Sequence, residues 1–252
     1  MSVSEKRTFL KIYLFQPGLR IWHWVQFLCI VVLFVTGLYI GDPFFTGSGS
    51  GEPTVVYPHI LSMDLVRTIH FSAGYVLLVA FLYRIFLFFT KKAHRALMAP
   101  KHLWMLKDVI LTYVFIKKSY PPVIRNPLAR LAYIFIFALI VFQIWTGFAM
   151  YGMSDPNGAT ATVVSQWTLA LFGNEFTLHV WHRIVAWVFF LFLIFHVYLV
   201  FYNAFLFKEG ELASMASGNR WVPLHRIPVD AEDALECKIE DVLGDAGCDR
   251  RG

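Results

Sequence analysis

The sequence predicts an all-α integral membrane protein, built as a bundle of four transmembrane helices. Of its 252 residues, 58% are hydrophobic and only 15% are charged, whereas about 25% of the residues of an ordinary soluble domain are charged. Four apolar runs each contain at most one charged residue and reach the roughly 20 residues that a spanning helix needs. These runs cover approximately residues 21–40, 69–90, 128–151 and 178–207. A soluble fold is therefore not the expected class.

The same pattern divides the chain into a transmembrane domain, residues 1–207, and a polar tail, residues 208–252, which carries ten Asp or Glu residues. Two shorter apolar stretches are not expected to cross the membrane. Val109–Ile116 has only eight residues and should lie at the interface, and Thr160–Phe172 should form a surface helix or loop. The tail shows only a weak helical stripe, over Ala231–Val242.

The distribution of positive charge predicts the orientation of the helices. The loop Lys91–Arg130 carries nine Lys or Arg residues, whereas the loops Gly41–Val66 and Tyr151–Leu178 carry none. Because cytoplasmic loops are enriched in Lys and Arg, both termini and the central basic loop are expected in the cytoplasm. Membrane topology thus accounts for the net charge of +5, and binding of nucleic acid is not expected.

Four histidines lie within the apolar runs: His23, His70, His182 and His196. An ionisable residue inside a membrane span is costly and indicates a functional site. His182 and His196 are 14 residues apart, so at about 100° per residue they share one helix face and lie about 21 Å apart along the axis. In a hydrocarbon core about 30 Å thick they occupy opposite depths. His179 points about 100° away from His196 and is not expected to be a ligand.

The predicted topology gives each histidine a depth and hence a partner. His70 and His182 lie towards the outer side, and His23 and His196 lie towards the cytoplasmic side. Two imidazoles at one depth are typical of bis-histidine haem ligation, in which both axial positions are filled and iron transfers electrons without binding substrate. We therefore expect a bundle with two haems. His70 and His182 would ligate the outer haem iron, and His23 and His196 the inner haem iron.

Two glycines share the faces of these histidines. Gly37 lies 14 residues after His23, at the depth of the outer haem, and Gly74 lies one turn from His70. A glycine at such a position leaves room for a flat macrocycle. Close packing between helices is the alternative explanation, because small residues are common at helix contacts in membranes.

Cationic residues lie near both predicted haems and could bind their anionic propionates. They are Arg20, Arg67, Arg84 and Arg183. Arg67 and Arg183 flank the outer histidines, whereas Arg84, 14 residues after His70, faces the inner haem. Arg20 precedes His23 by one turn. Extension of the guanidinium to the membrane interface is the alternative role for each of them.

Seven segments are specific in combination. They are RIWHW (20–24), TGLYIGDP (36–43), RTIHFSAGYV (67–76), NPLARLAY (126–133), TGFAMYG (146–152), HVWHRIVAWVF (179–189) and FHVYLVF (195–201). Through these segments the chain resembles, over roughly residues 15–215, the b-type cytochrome subunit of membrane-bound nickel–iron hydrogenases, which is related to formate dehydrogenase cytochromes.

The resemblance implies an electron-transfer subunit that is not an enzyme on its own. It implies two haem b groups in a chain of the bacterial inner membrane, which anchors a nickel–iron large subunit and an iron–sulfur small subunit on the periplasmic side. Electrons from H2 would pass through the iron–sulfur subunit, the outer haem and the inner haem to a membrane quinone. By similarity to formate dehydrogenase cytochromes, the quinone should lie near the inner haem, which makes His196 and Asn126 candidates. Asn126 before Pro127 is also an ordinary helix-start signal.

Three other functions are open. The cytochrome subunit of a formate dehydrogenase or of another periplasmic reductase would share this architecture and differ in the large subunit that copurifies. A proton-coupled transporter would use the histidines as a relay and would show no haem bands. A bare membrane anchor would have no use for four buried histidines.

Overall fold

A computed structural model describes residues 9–13, 15–41, 62–91, 103–117, 126–154, 157–207 and 210–223. In chain order the elements are β1 (Phe9–Tyr13), α1 (Pro17–Gly41), α2 (Met63–Thr90), α3 (Leu106–Tyr113), α4 (Pro127–Met153), α5 (Gln166–Phe172), α6 (Glu175–Phe207), α7 (Glu211–Ser217) and β2 (Asn219–Pro223). A 3₁₀ turn, Leu103–Met105, precedes α3, and a π turn, Ala161–Ser165, precedes α5. The four long helices α1, α2, α4 and α6 are apolar enough to cross a membrane, as the sequence predicts.

Each spanning helix begins before the apolar run that predicts it, because its first turn is fixed by backbone hydrogen bonding and not by hydropathy. Ser62 Oγ accepts a hydrogen bond from the N–H of Leu65 (3.2 Å), and Asn174 Oδ1 accepts one from the N–H of Thr177 (2.8 Å). Such caps satisfy N–H groups that have no partner within the helix. α1 and α4 begin instead with a proline, which suits the first helical position.

The two shorter apolar stretches form helices that cannot span a bilayer. α3 has eight residues and is therefore about 12 Å long. α5, with the π turn before it, covers most of the stretch predicted as a surface helix or loop. Trp167 in α5 is 78% exposed, as expected for an aromatic side chain that meets the membrane interface.

A two-stranded ribbon joins the N-terminal segment to the start of the polar tail. β1 pairs antiparallel with β2, with Lys11 opposite Trp221. The N–H of Phe15 donates to the carbonyl of Gly218 (3.1 Å), and the Arg20 guanidinium donates to the carbonyl of Ala216. The tail is thus ordered at least as far as β2, while the predicted stripe over Ala231–Val242 lies outside the described residues.

The chain forms two compact units. Unit 1 contains residues 1–21, 84–137 and 194–252, and unit 2 contains residues 22–83 and 138–193. The ribbon, α3 and α7 belong to unit 1, and α5 belongs to unit 2. In both units the spanning helices expose large apolar side chains, of which Val79 and Phe195 are each 65% exposed. This apolar surface suits contact with lipid.

Candidate haem site

The imidazole of His70 is held by the neighbouring helix α1. Thr36 Oγ1 lies 2.8 Å from His70 Nδ1. The same hydroxyl lies 2.7 Å from the carbonyl oxygen of Val32, one turn earlier in its own helix. Because Nδ1 is engaged, Nε2 is the ring nitrogen available to a metal. His70 is thus oriented in the way that is typical of a histidine ligand with a second hydrogen-bonding partner.

His182 on α6 is held in the same way by α4. Thr146 Oγ1 lies 2.7 Å from His182 Nδ1 and 2.8 Å from the carbonyl oxygen of Phe142. The carboxamide of Gln143 adds a second link, since its Nε2 donates to the backbone carbonyl of His182 (3.1 Å). Side chain and backbone of His182 are therefore both fixed by α4.

The contacts within unit 2 place the two histidines on diagonally opposite helices. The threonine contacts set α1 beside α2 and α4 beside α6. Phe34 of α1 stacks on Phe190 of α6, with ring centroids 4.9 Å apart, and Phe71 of α2 packs edge-on against Tyr151 of α4 at 4.9 Å. The order around the ring is therefore α1, α2, α4, α6. Across it, the imidazoles on α2 and α6 are close enough to interact electrostatically.

Glycines lie directly beside both imidazoles. A Cβ atom at Gly37 would lie 3.4 Å from His70 Cε1, and one at Gly147 would lie 3.5 Å from His182 Cε1. A Cβ atom at Gly74 would meet nothing within 4 Å. Gly37 and Gly147 thus give the rings room, and the face of α2 at Gly74 is open enough for a flat group beside His70.

The predicted propionate ligands differ in their surroundings. Arg67 and Arg183 are exposed, and the Arg183 guanidinium lies over Gly41, where a Cβ atom would be 3.4 Å from its Nη1. Arg84 is fully buried, with its guanidinium 6.0 Å from the centroid of the Phe137 ring. Arg20 is bound to the backbone of Ala216, as described above, which gives it a structural role.

The inner histidines are divided between the units. His23 lies on α1 in unit 2, and His196 lies on α6 in unit 1, so their pairing stays a prediction from the sequence. Gln26, one turn after His23, is only 5% exposed, and neither atom of its amide has a hydrogen-bonding partner among the described residues. A buried amide requires a partner, and a polar group bound beside His23 would supply one.

A hydrogen-bonded cluster in unit 1 surrounds Asn126. Its Oδ1 accepts from the N–H of Leu128 (2.9 Å) and caps α4, while its Nδ2 donates to the hydroxyl of Tyr113 (3.2 Å). The Nδ2 of Asn203 donates to the same hydroxyl (3.2 Å). Burial raises the pKa of Tyr113 above its usual value, so this hydroxyl remains protonated. Asn203 shares a face of α6 with His196, seven residues earlier.

An aromatic groove lies on the same part of α6. It is lined by Tyr198, Phe201, Tyr202 and Phe205. The ring of Tyr202 packs edge-on against Tyr113 at 5.9 Å, so the groove adjoins the cluster around Asn126. An apolar groove beside polar groups is the usual form of a site for an amphiphilic ligand.

Comparison with known proteins agrees with this geometry. The family model for prokaryotic cytochrome b561 matches residues 14–218.

The chain belongs to the prokaryotic cytochrome b561 family.

Three curated relatives are similar to this cytochrome over most of their length. Each is named a probable Ni/Fe-hydrogenase B-type cytochrome subunit, in the case of Escherichia coli K12 that of hydrogenase 1. The Azotobacter chroococcum protein is 34% identical over 83% of this chain and 88% of its own. The Escherichia coli protein is 33% identical over 82% and 90%, and the Cupriavidus necator protein is 32% identical over 87% and 91%.

The residues around His70 and His182 fit the haem b that a b-type cytochrome carries. Two imidazoles on opposite helices, each fixed through Nδ1 and flanked by a glycine, match the requirements of axial haem ligands. Among the described residues, no group of three or more His, Cys, Asp or Glu side chains could hold a bare metal ion. His179 contacts the carbonyl of Glu175 in its own helix (2.9 Å), and so lies outside this pair.

Several residues of the site escape prediction from the sequence. They are Gln26, Thr36, Tyr113, Thr146 and Asn203. A signal for the threonines is present, because a Thr-Gly pair occurs in both TGLYIG and TGFAMYG. Gln26 could have been recognised as a carboxamide inside an apolar run without charges. Tyr113 and Asn203 lack any such signal, since their positions relative to Asn126 depend on how the helices pack.

Proposed function

We propose that this cytochrome is the membrane subunit of a nickel–iron hydrogenase, and that it passes electrons from H2 oxidation to membrane quinone. The relatives that carry this name match more than four fifths of the chain and of their own length. The cytochrome would anchor the iron–sulfur small subunit and the nickel–iron large subunit, and would receive electrons from the small subunit. The chain itself is an electron-transfer subunit and not a catalytic enzyme.

The proposal includes two haem b groups. His70 and His182 would be the axial ligands of the outer haem, and His23 and His196 those of the inner haem. Haem b with two imidazole ligands supplies one-electron transfer without binding substrate at the iron. The observation that carries this assignment is the pair of histidines on diagonal helices, each hydrogen-bonded to a threonine of the next helix.

The arginines are proposed to bind propionates. Arg67 and Arg183 would serve the outer haem because they flank its ligands, and Arg84 would serve the inner haem. Complete burial of the Arg84 guanidinium supports this role, since a buried cation is stable only when an anion or polar groups compensate it. Arg20 is the weakest of the four candidates because its side chain is bound to the tail.

The cluster around Asn126 is proposed to bind the quinone. The protonated hydroxyl of Tyr113 and the carboxamides of Asn126 and Asn203 are suited to hydrogen-bond a quinone carbonyl. The aromatic groove beside them suits an isoprenoid chain. Asn203 shares its helix face with His196 and would bring the quinone close to the inner haem.

The proposed orientation makes the electron transfer electrogenic. In the bacterial inner membrane, with both termini in the cytoplasm, protons from H2 are released outside and protons for the quinol are taken up inside. An electron that moves inward across the membrane then does work of about 2.3 kcal/mol per charge per 100 mV.

The function is tested by purifying the complex from detergent-solubilised membranes through a tag on this chain. We expect two haem b per chain in a pyridine haemochrome assay, copurification of hydrogenase subunits, and reduction of haem and quinone by H2. A chain without haem bands would contradict the cytochrome assignment. Copurification of a formate dehydrogenase in place of hydrogenase would assign the chain to that alternative.

The quinone site is tested separately by Tyr113→Phe. Loss of the hydroxyl should slow H2-dependent quinone reduction several-fold, while reduction of the haems by H2 stays at the wild-type rate. Tyr202→Phe is the matched control, because the Tyr202 hydroxyl makes no hydrogen bond within the described residues. Equal quinone reduction in the Tyr113→Phe and wild-type complexes would remove the cluster from the proposed site.

A further inference from the structure

We infer that Thr36 and Thr146 are positioning residues that fix the tautomer and orientation of His70 and His182, and thereby set the redox potential of the haem that these histidines hold. This inference rests on the proposed function, because it requires that His70 and His182 ligate the outer haem. It concerns the hydroxyl groups, to which the sequence and the comparisons assign no role.

The hydrogen-bonding capacity of each hydroxyl determines the direction of the bond. A threonine hydroxyl has a single hydrogen to donate. The carbonyl oxygen of Val32 lies 2.7 Å from Thr36 Oγ1, and that of Phe142 lies 2.8 Å from Thr146 Oγ1. A carbonyl can only accept, so the hydroxyl hydrogen belongs to that bond. Towards the imidazole the hydroxyl then accepts, and the ring hydrogen resides on Nδ1.

This tautomer is the one that a haem ligand needs. With the hydrogen on Nδ1, the lone pair of Nε2 is free to bind iron. In the opposite arrangement, the hydroxyl would donate to Nδ1 and the ring hydrogen would move to Nε2, which would then be unable to bind iron. The chain from carbonyl to hydroxyl to Nδ1 therefore selects the ligating form of both histidines.

The residue after each threonine completes the arrangement. Gly37 follows Thr36 and Gly147 follows Thr146, and a Cβ atom at either glycine would lie 3.4 to 3.5 Å from the Cε1 of the adjacent imidazole. The hydroxyl thus holds one ring atom while the glycine backbone lies against its neighbour. Rotation of the ring about its Cβ–Cγ bond is restricted at both places, so the plane of each imidazole is fixed.

The bond also affects the preference of the ligand for the two states of iron. An acceptor at Nδ1 draws the ring hydrogen away and makes Nε2 more basic. A more basic imidazole stabilises the ferric state relative to the ferrous state and lowers the midpoint potential, because hydrogen bonding to the axial ligand is one of the ways in which a protein tunes haem. Removal of the acceptor should therefore raise the potential.

The experiment compares Thr36→Val and Thr146→Val with Thr36→Ser and Thr146→Ser, each in the full-length chain within its complex. Valine keeps the shape of threonine and removes the hydroxyl, whereas serine keeps the hydroxyl. Midpoint potentials are measured by redox titration of the haem bands, and ring orientation is followed through the g values of the ferric low-spin signals. The inner haem serves as an internal reference.

The valine variants should weaken the preference for ferric over ferrous iron by on the order of tenfold. For a one-electron couple this raises the outer-haem midpoint potential by about 59 mV. The outer-haem g values should also change, while those of the inner haem stay constant. The serine variants should behave like wild type. Thr68→Val is the matched control, because the Thr68 hydroxyl makes the same kind of bond to its own helix, at 2.8 Å from the Asp64 carbonyl, but contacts no histidine.

Two results would overturn the inference. One is an unchanged potential and unchanged g values in valine variants that retain the outer haem. The other is a serine variant as strongly affected as valine, which would indicate a role in packing alone. If the valine variants lose the haem, the serine variants decide: wild-type haem content and potential support the inference, and loss of haem contradicts it.

His70→Ala separates this inference from the proposed function. Retention of both haems in that variant would contradict ligation by His70 itself. Loss of one haem in His70→Ala, together with silent threonine variants, would leave the ligation intact and remove only the role of the hydroxyl groups.

Discussion

At the scale of single residues, the cost of placing an imidazole in an apolar helix explains the contacts around His70 and His182. A buried polar ring needs a hydrogen-bonding partner at each nitrogen. A threonine supplies the partner at Nδ1 in both cases, and haem iron would supply the one at Nε2. The two rings have the same surroundings although they lie on different helices.

Replacement of an axial ligand should remove a haem. His70→Ala and His182→Ala should each lower the haem content from two per chain to one and stop electron entry from the hydrogenase, because iron would lose one of its two imidazoles. His196→Ala should instead remove the inner haem and block quinone reduction, while dye reduction by the hydrogenase subunits persists. Pyridine haemochrome analysis of the purified chain measures the haem content.

His179→Ala is the control for these variants. Its ring contacts only the carbonyl of Glu175 in its own helix, so the haem content should stay at two per chain. Full haem content in both His70→Ala and His182→Ala would show that the pairing by depth is wrong.

The sequence predicts these histidines but not their hydroxyl partners, for a physical reason. Depth and helix face follow from the spacing along one helix, and the 14-residue interval between His182 and His196 is sufficient to assign both. The contact of Thr36 with His70 depends on the rotation of α1 against α2. Spacing within a single helix carries no information on that rotation.

At the scale of elements, hydropathy predicts the spanning helices and fails to predict their first turns. Transfer of apolar side chains into lipid determines where a helix lies in the membrane. Polar caps such as Ser62 and Asn174 determine where it begins. The ribbon of β1 and β2 is absent from the prediction, because its strands are more than 200 residues apart in the sequence and each is short. Local patterns cannot identify such a pairing.

Loss of β2 should expose β1 to protease. A chain that ends after Gly218 lacks β2, whereas a chain that ends after Pro223 keeps it. In the shorter chain the backbone of Lys11 loses its partner strand, and its ammonium group loses Trp221, whose ring centroid lies 5.8 Å away. Trypsin should cut after Lys11 several-fold faster in the shorter chain, as measured by mass spectrometry of peptides. Equal rates in the two truncated chains would mean that the ribbon does not protect this segment.

At the scale of the whole molecule, the distribution of charge is the main determinant of orientation. The nine Lys and Arg residues of the loop 91–130 face loops that carry none. The bilayer penalises transfer of these cations, so the basic loop and both termini are expected on the cytoplasmic side. This orientation directs the residues of unit 2 around His70 and His182 towards the side where a periplasmic hydrogenase would dock.

Reporter fusions test this topology. Alkaline phosphatase fused after Gly252 should be inactive, and green fluorescent protein at the same position should fluoresce, because both reporters would lie in the cytoplasm. Alkaline phosphatase fused after Gly51, in the loop that follows α1, should be active. The reverse pattern of activities would invert the predicted orientation and with it the assignment of outer and inner haems.

The order of the helices around unit 2 has a consequence for biosynthesis. The first imidazole and its threonine lie on α1 and α2, and the second imidazole and its threonine lie on α4 and α6. Each half can insert into the bilayer as a hairpin with its own histidine already oriented, but neither half alone offers two axial ligands. Stable capture of the porphyrin must therefore wait until α6 has left the ribosome, so that the prosthetic group joins two separately inserted halves late in assembly.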